Sequence, residues 1–289
     1  MITTFALLAL AVLALWWGGD ARAPALRREA WLIFLAASLV AALVSGVMRP
    51  VGLPWVAAIA VTTFALGQRQ LTGGRRYLAV VVFVAVATGL ALHRLPGFNN
   101  PRVIDAVRFS ADAIPYSLYL NYDKALAGLF VLGWCHSRLA TGRDWRSMLA
   151  TAAPWSAGLI GLIMLLSLAA GYVRLEPKFP AETWLWLGVN LGLTCMAEEA
   201  LFRGFVQAQL QRAWQHFAAG RWLALGVAAL LFGLAHAAGG ATYVALATVA
   251  GLGYGWVYQR TGRIEASILT HFTLNTAHFF LFTYPALQR

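Results

Sequence analysis

The stretch WLWLGVNLGLTCMAEEALFRG, residues 184–204, decides how the chain folds. Trp184 to Ala197 contain no Asp, Glu, Lys or Arg; Glu198 and Glu199 then stand side by side, with Arg203 four residues further on. A charge at the centre of an apolar span costs roughly 2.5–3.5 kcal/mol on insertion scales. Ionisable residues there normally face a protein interior or a wet cavity and serve function.

The surroundings of the pair are apolar throughout. The 289 residues are 60% hydrophobic and only 11% charged, with mean hydropathy +0.67. Soluble domains carry about 25% charged residues, so a water-soluble globular fold is excluded. The expected fold class is all-α, a polytopic transmembrane helical bundle with its catalytic core in the C-terminal helices. Apolar runs fall at about 2–17, 30–48, 51–67, 77–92, 125–137, 154–171, 183–202, 222–238, 241–258 and 264–283. That pattern predicts about ten spans, or eight or nine if the short runs do not cross.

Charge placement gives an orientation. Of the 22 Lys and Arg, 14 fall in the alternate loops 18–29, 68–76, 138–153, 203–221 and 259–263. The positive-inside rule places those loops in the cytoplasm and both termini outside. The net charge of +11 is therefore read as orientation signals and lipid-headgroup contacts. The lipid bilayer is the expected partner, and nucleic acid is not, because no basic face on a soluble fold exists. Arg outnumbers Lys 20 to 2 and Ala and Gly abound, a hint of a GC-rich bacterial source and no more; the expected location is the bacterial cytoplasmic (inner) membrane, as a multi-pass protein. Met1 to Trp17 lack a basic leading segment and are expected to be a retained span.

The chain divides into an N-terminal transmembrane region, 1–150, and a catalytic membrane core, 151–289, with the motifs within 183–283. The longest break, 93–124, carries Val103, Ile104, Val107 and Ile114 between charged residues. That spacing predicts a short helix lying at the membrane interface, bounded by Pro101 and Pro115. Gly251 and Gly255 form a GxxxG expected to serve helix packing. Cys135 and Cys195 are expected to be packing residues.

Three segments present polar pairs at i, i+4, one face of a helix. Glu199 and Arg203 are the favourable acid-before-base arrangement, which neutralises Glu199 and leaves Glu198 on the neighbouring flank to titrate. His236 follows Phe232 in an uncharged run and can serve as a base or water-positioning partner. His271 and Asn275 can donate two hydrogen bonds towards one oxyanion, and His278 is expected to pack. Two acids, an Arg, two His and an Asn are what acyl-bond hydrolysis needs: activated water and oxyanion donors. No GxSxG occurs. Glu198, His236 and His271 could supply three zinc ligands, but HExxH is absent and Arg203 would repel a dication, so no cofactor is expected, with zinc as the minority alternative.

EExxxR (Glu198, Glu199, Arg203), FxxxH (Phe232, His236) and HxxxN (His271, Asn275) together resemble the CPBP family, also called ABI, which includes type II CAAX prenyl endopeptidases and bacteriocin-processing proteases. A weaker likeness to some bacterial members lies in Asp123 to Gly128. The resemblance implies a glutamic intramembrane endopeptidase with each motif on its own transmembrane helix. It implies that Glu198 with His236 activates water, that His271 with Asn275 forms the oxyanion hole, and that Glu199 and Arg203 support them. The implied partner is a membrane-anchored peptide or protein substrate: a prenylated CAAX peptide, a C-terminal sorting signal or a peptide precursor. A non-catalytic immunity or scaffold protein of the same fold and a proton-coupled transporter are the alternatives. On regular helices, Glu198 and His236 each lie about 21 Å from opposite ends of their runs, so one of the two helices is expected to start outside the bilayer, tilt or break.

Overall fold

In a computed structural model, residues 1–18, 24–68 and 70–288 are described; Arg22, Arg69 and Arg289, part of the charge count, lie outside them. The order is α1 (Ile2–Trp17), α2 (Ala25–Arg28), α3 (Ala30–Ser45), α4 (Leu53–Gly67), α5 (Gly73–Ala91), β1 (Arg102–Val107), β2 (Tyr116–Tyr119), α6 (Tyr122–Cys135) and α7 (Gly142–Ala169). There follow α8 (Thr183–Val189), α9 (Met196–Glu199), α10 (Ala208–Ala213), α11 (Gly220–Leu234), α12 (Ala241–Thr261) and α13 (Ile264–Leu281).

All ten apolar runs are helical over most of their length, but helices and spans are not the same count. Three are long and apolar enough to cross a membrane among the described residues: Pro50–Gly67, Gly73–Ala91 and Gly142–Ala169. Three shorter apolar helices are Ile2–Trp17, Ala30–Ser45 and Gly220–Leu234. A hydrocarbon core of about 30 Å needs about 20 helical residues, and α6 has only 14. Apolar faces turn outward: Leu13, Val44, Val61 and Leu165 are all at least 66% exposed. Exposed apolar side chains on apolar helices of this length are suited to lipid contact.

The chain forms two compact units. The first comprises Met1–Pro101, Leu120–Trp145 and Gly192–Gly204. The run that is shortest in sequence lies at its centre: α6 is buried at every position from Ala125 to Leu132, as expected of a helix that is apolar all round. It packs against α4, α5 and α9, and Trp31 of α3 fills the space left by Gly133. A polar seam joins α1, α3 and α6, with Ser38 Oγ donating to Thr4 O at 2.8 Å and lying 3.0 Å from the Tyr122 hydroxyl.

The second unit comprises Arg102–Tyr119, Arg146–Leu191 and Phe205–Arg289. Here the expected interfacial helix is corrected: β1 and β2 form an antiparallel hairpin, so the fold is mostly helical rather than all-α. Val103, Ile104 and Val107 are β-branched and favour strand, and the only buried residues of the two strands, Ile104 and Leu118, face one another across them. The connection is anchored rather than loose, since Phe109 packs edge-on against Phe279 and Tyr116 against Tyr284. Trp186 Nε1 donates to the Tyr284 hydroxyl at 3.1 Å. Burial raises that hydroxyl, beyond the end of α13, well above the ordinary tyrosine range, so it remains neutral. Helix α7 runs through Pro154 without a break.

In the same unit, Gly255 fulfils the packing expectation: a Cβ there would collide with Leu225 and lie 2.5 Å from Gln207 Oε1, and its carbonyl accepts from Gln207 Nε2 at 3.1 Å. Cys195, in the first unit, is fully buried.

Candidate active site

The carboxylates belong to the first unit and stand on an irregular helix. Between α8 and α9, and again between α9 and α10, the chain takes wide π turns over Asn190–Cys195 and Ala200–Gln207. Such turns are rare and occur frequently at functional sites. Despite the wide turn, Arg203 Nη1 donates to Glu199 Oε1 at 3.0 Å, and both side chains have no exposure to solvent. The i, i+4 pairing expected from sequence is therefore present.

Glu198 differs from expectation. Its Oε1 accepts from Lys124 Nζ at 2.6 Å, with side-chain exposures of 11% and 15%. A nearly buried carboxylate without a counter-charge would shed its charge or destabilise the fold, and the cation is supplied by α6. Lys124 is the second residue of the Asp123 to Gly128 segment, and nothing in its sequence position assigns it a role. The physical link was not visible, because 74 residues separate the partners. His136, also in this unit, has Nε2 at 2.8 Å from Gly204 O, which holds the backbone just past Arg203.

The histidines belong to the second unit. His236 is not inside a helix: α11 ends at Leu234, and a short 3-10 turn, Ala237–Gly239, follows. The cause is local. His236 Nδ1 lies 2.7 Å from Phe232 O, a last-turn carbonyl that the helix would otherwise leave unsatisfied, and Gly240 with φ +86 redirects the chain. A carbonyl only accepts, so Nδ1 carries a proton, and Nε2 is the ring nitrogen that can act as a base. The ring of Phe232 is 4.7 Å from that of His236 and 5.6 Å, edge-on, from that of His271. The Phe of FxxxH thus serves both histidines, with its carbonyl and with its ring.

His271 is buried and stacks on Tyr254 at 4.5 Å with the rings 17° from parallel. One turn along α13, Asn275 Nδ2 donates to Asn190 Oδ1 at 3.3 Å. Neither Tyr254 nor Asn190 was marked by its sequence position. His278 packs on Tyr284 at 5.0 Å, with Nε2 3.2 Å from Thr283 O. The helices that carry the two residues are not regular to their ends: π turns flank Glu198, and His236 stands beyond the end of its helix. Among the described residues no group of three or more His, Cys, Asp or Glu is arranged to hold a metal ion.

Outward-facing apolar helices with buried ionisable residues define a helical membrane protein. Residues 180–277 match the family described as type II CAAX prenyl endopeptidase Rce1-like, the family to which the three motifs point. The match covers about a third of the chain and includes Glu198, Glu199, Arg203, His236, His271 and Asn275. No curated protein and no solved structure matches the chain. The matched family is one of proteases, which supports a peptidase.

Proposed function

We propose that the chain is an intramembrane endopeptidase of glutamic type, acting on membrane-tethered substrates of the CAAX class in a bacterial cytoplasmic membrane. The observation that carries this is the family match across 180–277, which takes in all three polar pairs. Glu198 with His236 Nε2 accepts a proton from water, and the resulting hydroxide attacks the scissile carbonyl. His271 and one N–H of Asn275 donate to the oxyanion. The other Asn275 N–H is taken by Asn190 Oδ1, which supports a fixed amide. Collapse of the tetrahedral intermediate returns the proton to the leaving amine. Glu199 and Arg203 supply a charge-balanced, dry foundation beneath Glu198.

Zinc fits this residue set poorly. Lys124 Nζ already stands 2.6 Å from Glu198 Oε1, and a dication on that carboxylate would meet an ammonium as well as the nearby Arg203. We assign no step to a metal.

The test uses purified protein in nanodiscs and a farnesylated CAAX peptide, with products read by mass spectrometry. One internal cut that releases the C-terminal peptide whole, and that persists after exhaustive chelation, is the expected result. Stepwise trimming, or loss of cleavage on chelation restored by zinc, contradicts it.

A further inference from the structure

Glu199 has its cation four residues away on its own helix, whereas Glu198 depends on one from a distant stretch of chain. Lys124 is one of only two lysines in a chain with 20 arginines. Apart from Lys178 every other basic position is Arg; at Glu198 the chain uses a compact ammonium, a point charge rather than a planar fork. Several features of the first unit fix where that ammonium stands.

Gly128 lies one turn after Lys124 on α6. A Cβ there would be 2.5 Å from Ala197 Cα and 3.0 Å from Ala197 Cβ, so the α6 backbone rests directly against the residue preceding Glu198. At the start of α6, Asp123 is 1% exposed. It accepts from Asn100 Nδ2 at 2.9 Å and from the Lys124 backbone N–H at 2.8 Å, and its Oδ2 is 2.8 Å from His93 Nδ1. Asn100 Oδ1 accepts from the Tyr122 N–H at 2.8 Å. His93 takes φ +55, a conformation uncommon for a non-glycine residue that is retained where surrounding structure enforces it. The first turn of α6 is therefore pinned from the 93–100 loop, and Gly128 sets its approach to α9.

We propose that Lys124 is a positioning residue for the peptidase reaction: held by the Asp123 network and the Gly128 contact, its ammonium orients the Glu198 carboxylate and supplies its counter-charge. The assignment rests on the peptidase reading given above. A residue that acts through Glu198 changes turnover more than substrate binding.

The experiment measures cleavage of the farnesylated CAAX peptide by full-length protein in nanodiscs, with Glu198→Gln as the reference. Lys124→Met is expected to lower kcat about 100-fold with KM within about twofold, and Lys124→Arg to keep about a tenth of wild-type kcat. Lys124→Ala is expected to regain activity with added propylammonium and not with propanol. Wild-type kcat in Lys124→Met, or loss in Lys124→Arg as complete as in Lys124→Met with no amine rescue, overturns the positioning role. Equal turnover by wild type and Glu198→Gln overturns the peptidase reading instead.

A second measurement needs no turnover. With an amine-selective reagent, Glu198→Gln is expected to speed modification of Lys124 about tenfold relative to Lys178. An unchanged ratio overturns the ion pair.

Discussion

The carboxylate region, 192–204 with α6, and the imidazole region on α11 to α13 solve the same problem by different means. In the first, buried charge is met by opposite charge: Glu199 by Arg203 and Glu198 by Lys124. In the second, imidazoles and an amide are met by a carbonyl, by rings and by another amide: His236 by Phe232 O, His271 by Phe232 and Tyr254, Asn275 by Asn190. A carboxylate in apolar surroundings destabilises the fold unless it is compensated, whereas a neutral imidazole needs only its tautomer and ring plane set. Substitutions in the carboxylate region should therefore disturb folding and chemistry together. Those in the imidazole region should remove chemistry from a protein that still folds.

The largest separation is expected at His236→Ala. Cleavage of the CAAX peptide should fall about 10²- to 10⁴-fold, while thermal unfolding in detergent moves little, since one part-buried hydrogen bond is worth about 0.5–1.5 kcal/mol. Loss of the folded protein would erase the contrast between the regions. Arg203→Met should do the opposite and destabilise by about 3–5 kcal/mol by leaving a buried carboxylate uncompensated. Combining it with Glu199→Gln should recover part of that, as read from denaturant titration; a double variant no more stable than the single one counts against a charge-balance role. Gly128→Ala should cost about 1–3 kcal/mol through overpacking against Ala197 and lower kcat with it; a neutral result would show that α6 can shift without moving Lys124. The smallest effect belongs to Tyr254. Tyr254→Phe keeps the ring on His271 and should leave kcat unchanged, and Tyr254→Leu should lose about 0.5–1.5 kcal/mol of stacking, seen as a modest drop in kcat.

The two regions also differ in how much of them was legible in sequence. Glu199 and Arg203 are four apart, and a local spacing survives even the π turn between them. The i, i+4 spacing of Phe232 and His236 is legible, but the place of His236 beyond the helix end is not, because Gly239 and Gly240 read only as small residues. Lys124 and Asn190 are polar partners brought in by tertiary packing, which spacing cannot reveal. The hairpin at 102–119 was read as a helix because Val103, Ile104 and Val107 fit both periods over so short a stretch. Ten helices were legible and ten crossings were not: α6 is apolar because it is buried within its unit, and apolarity alone does not distinguish that from lipid.

The most direct test of a glutamic mechanism is single-turnover cleavage of the farnesylated CAAX peptide by chelator-treated wild type and by Glu198→Gln, both shown to be folded. Full activity in the first and a loss of about a thousandfold or more in the second is the predicted result. Equal rates in the two proteins, or a wild type inactive until zinc is returned, would contradict it.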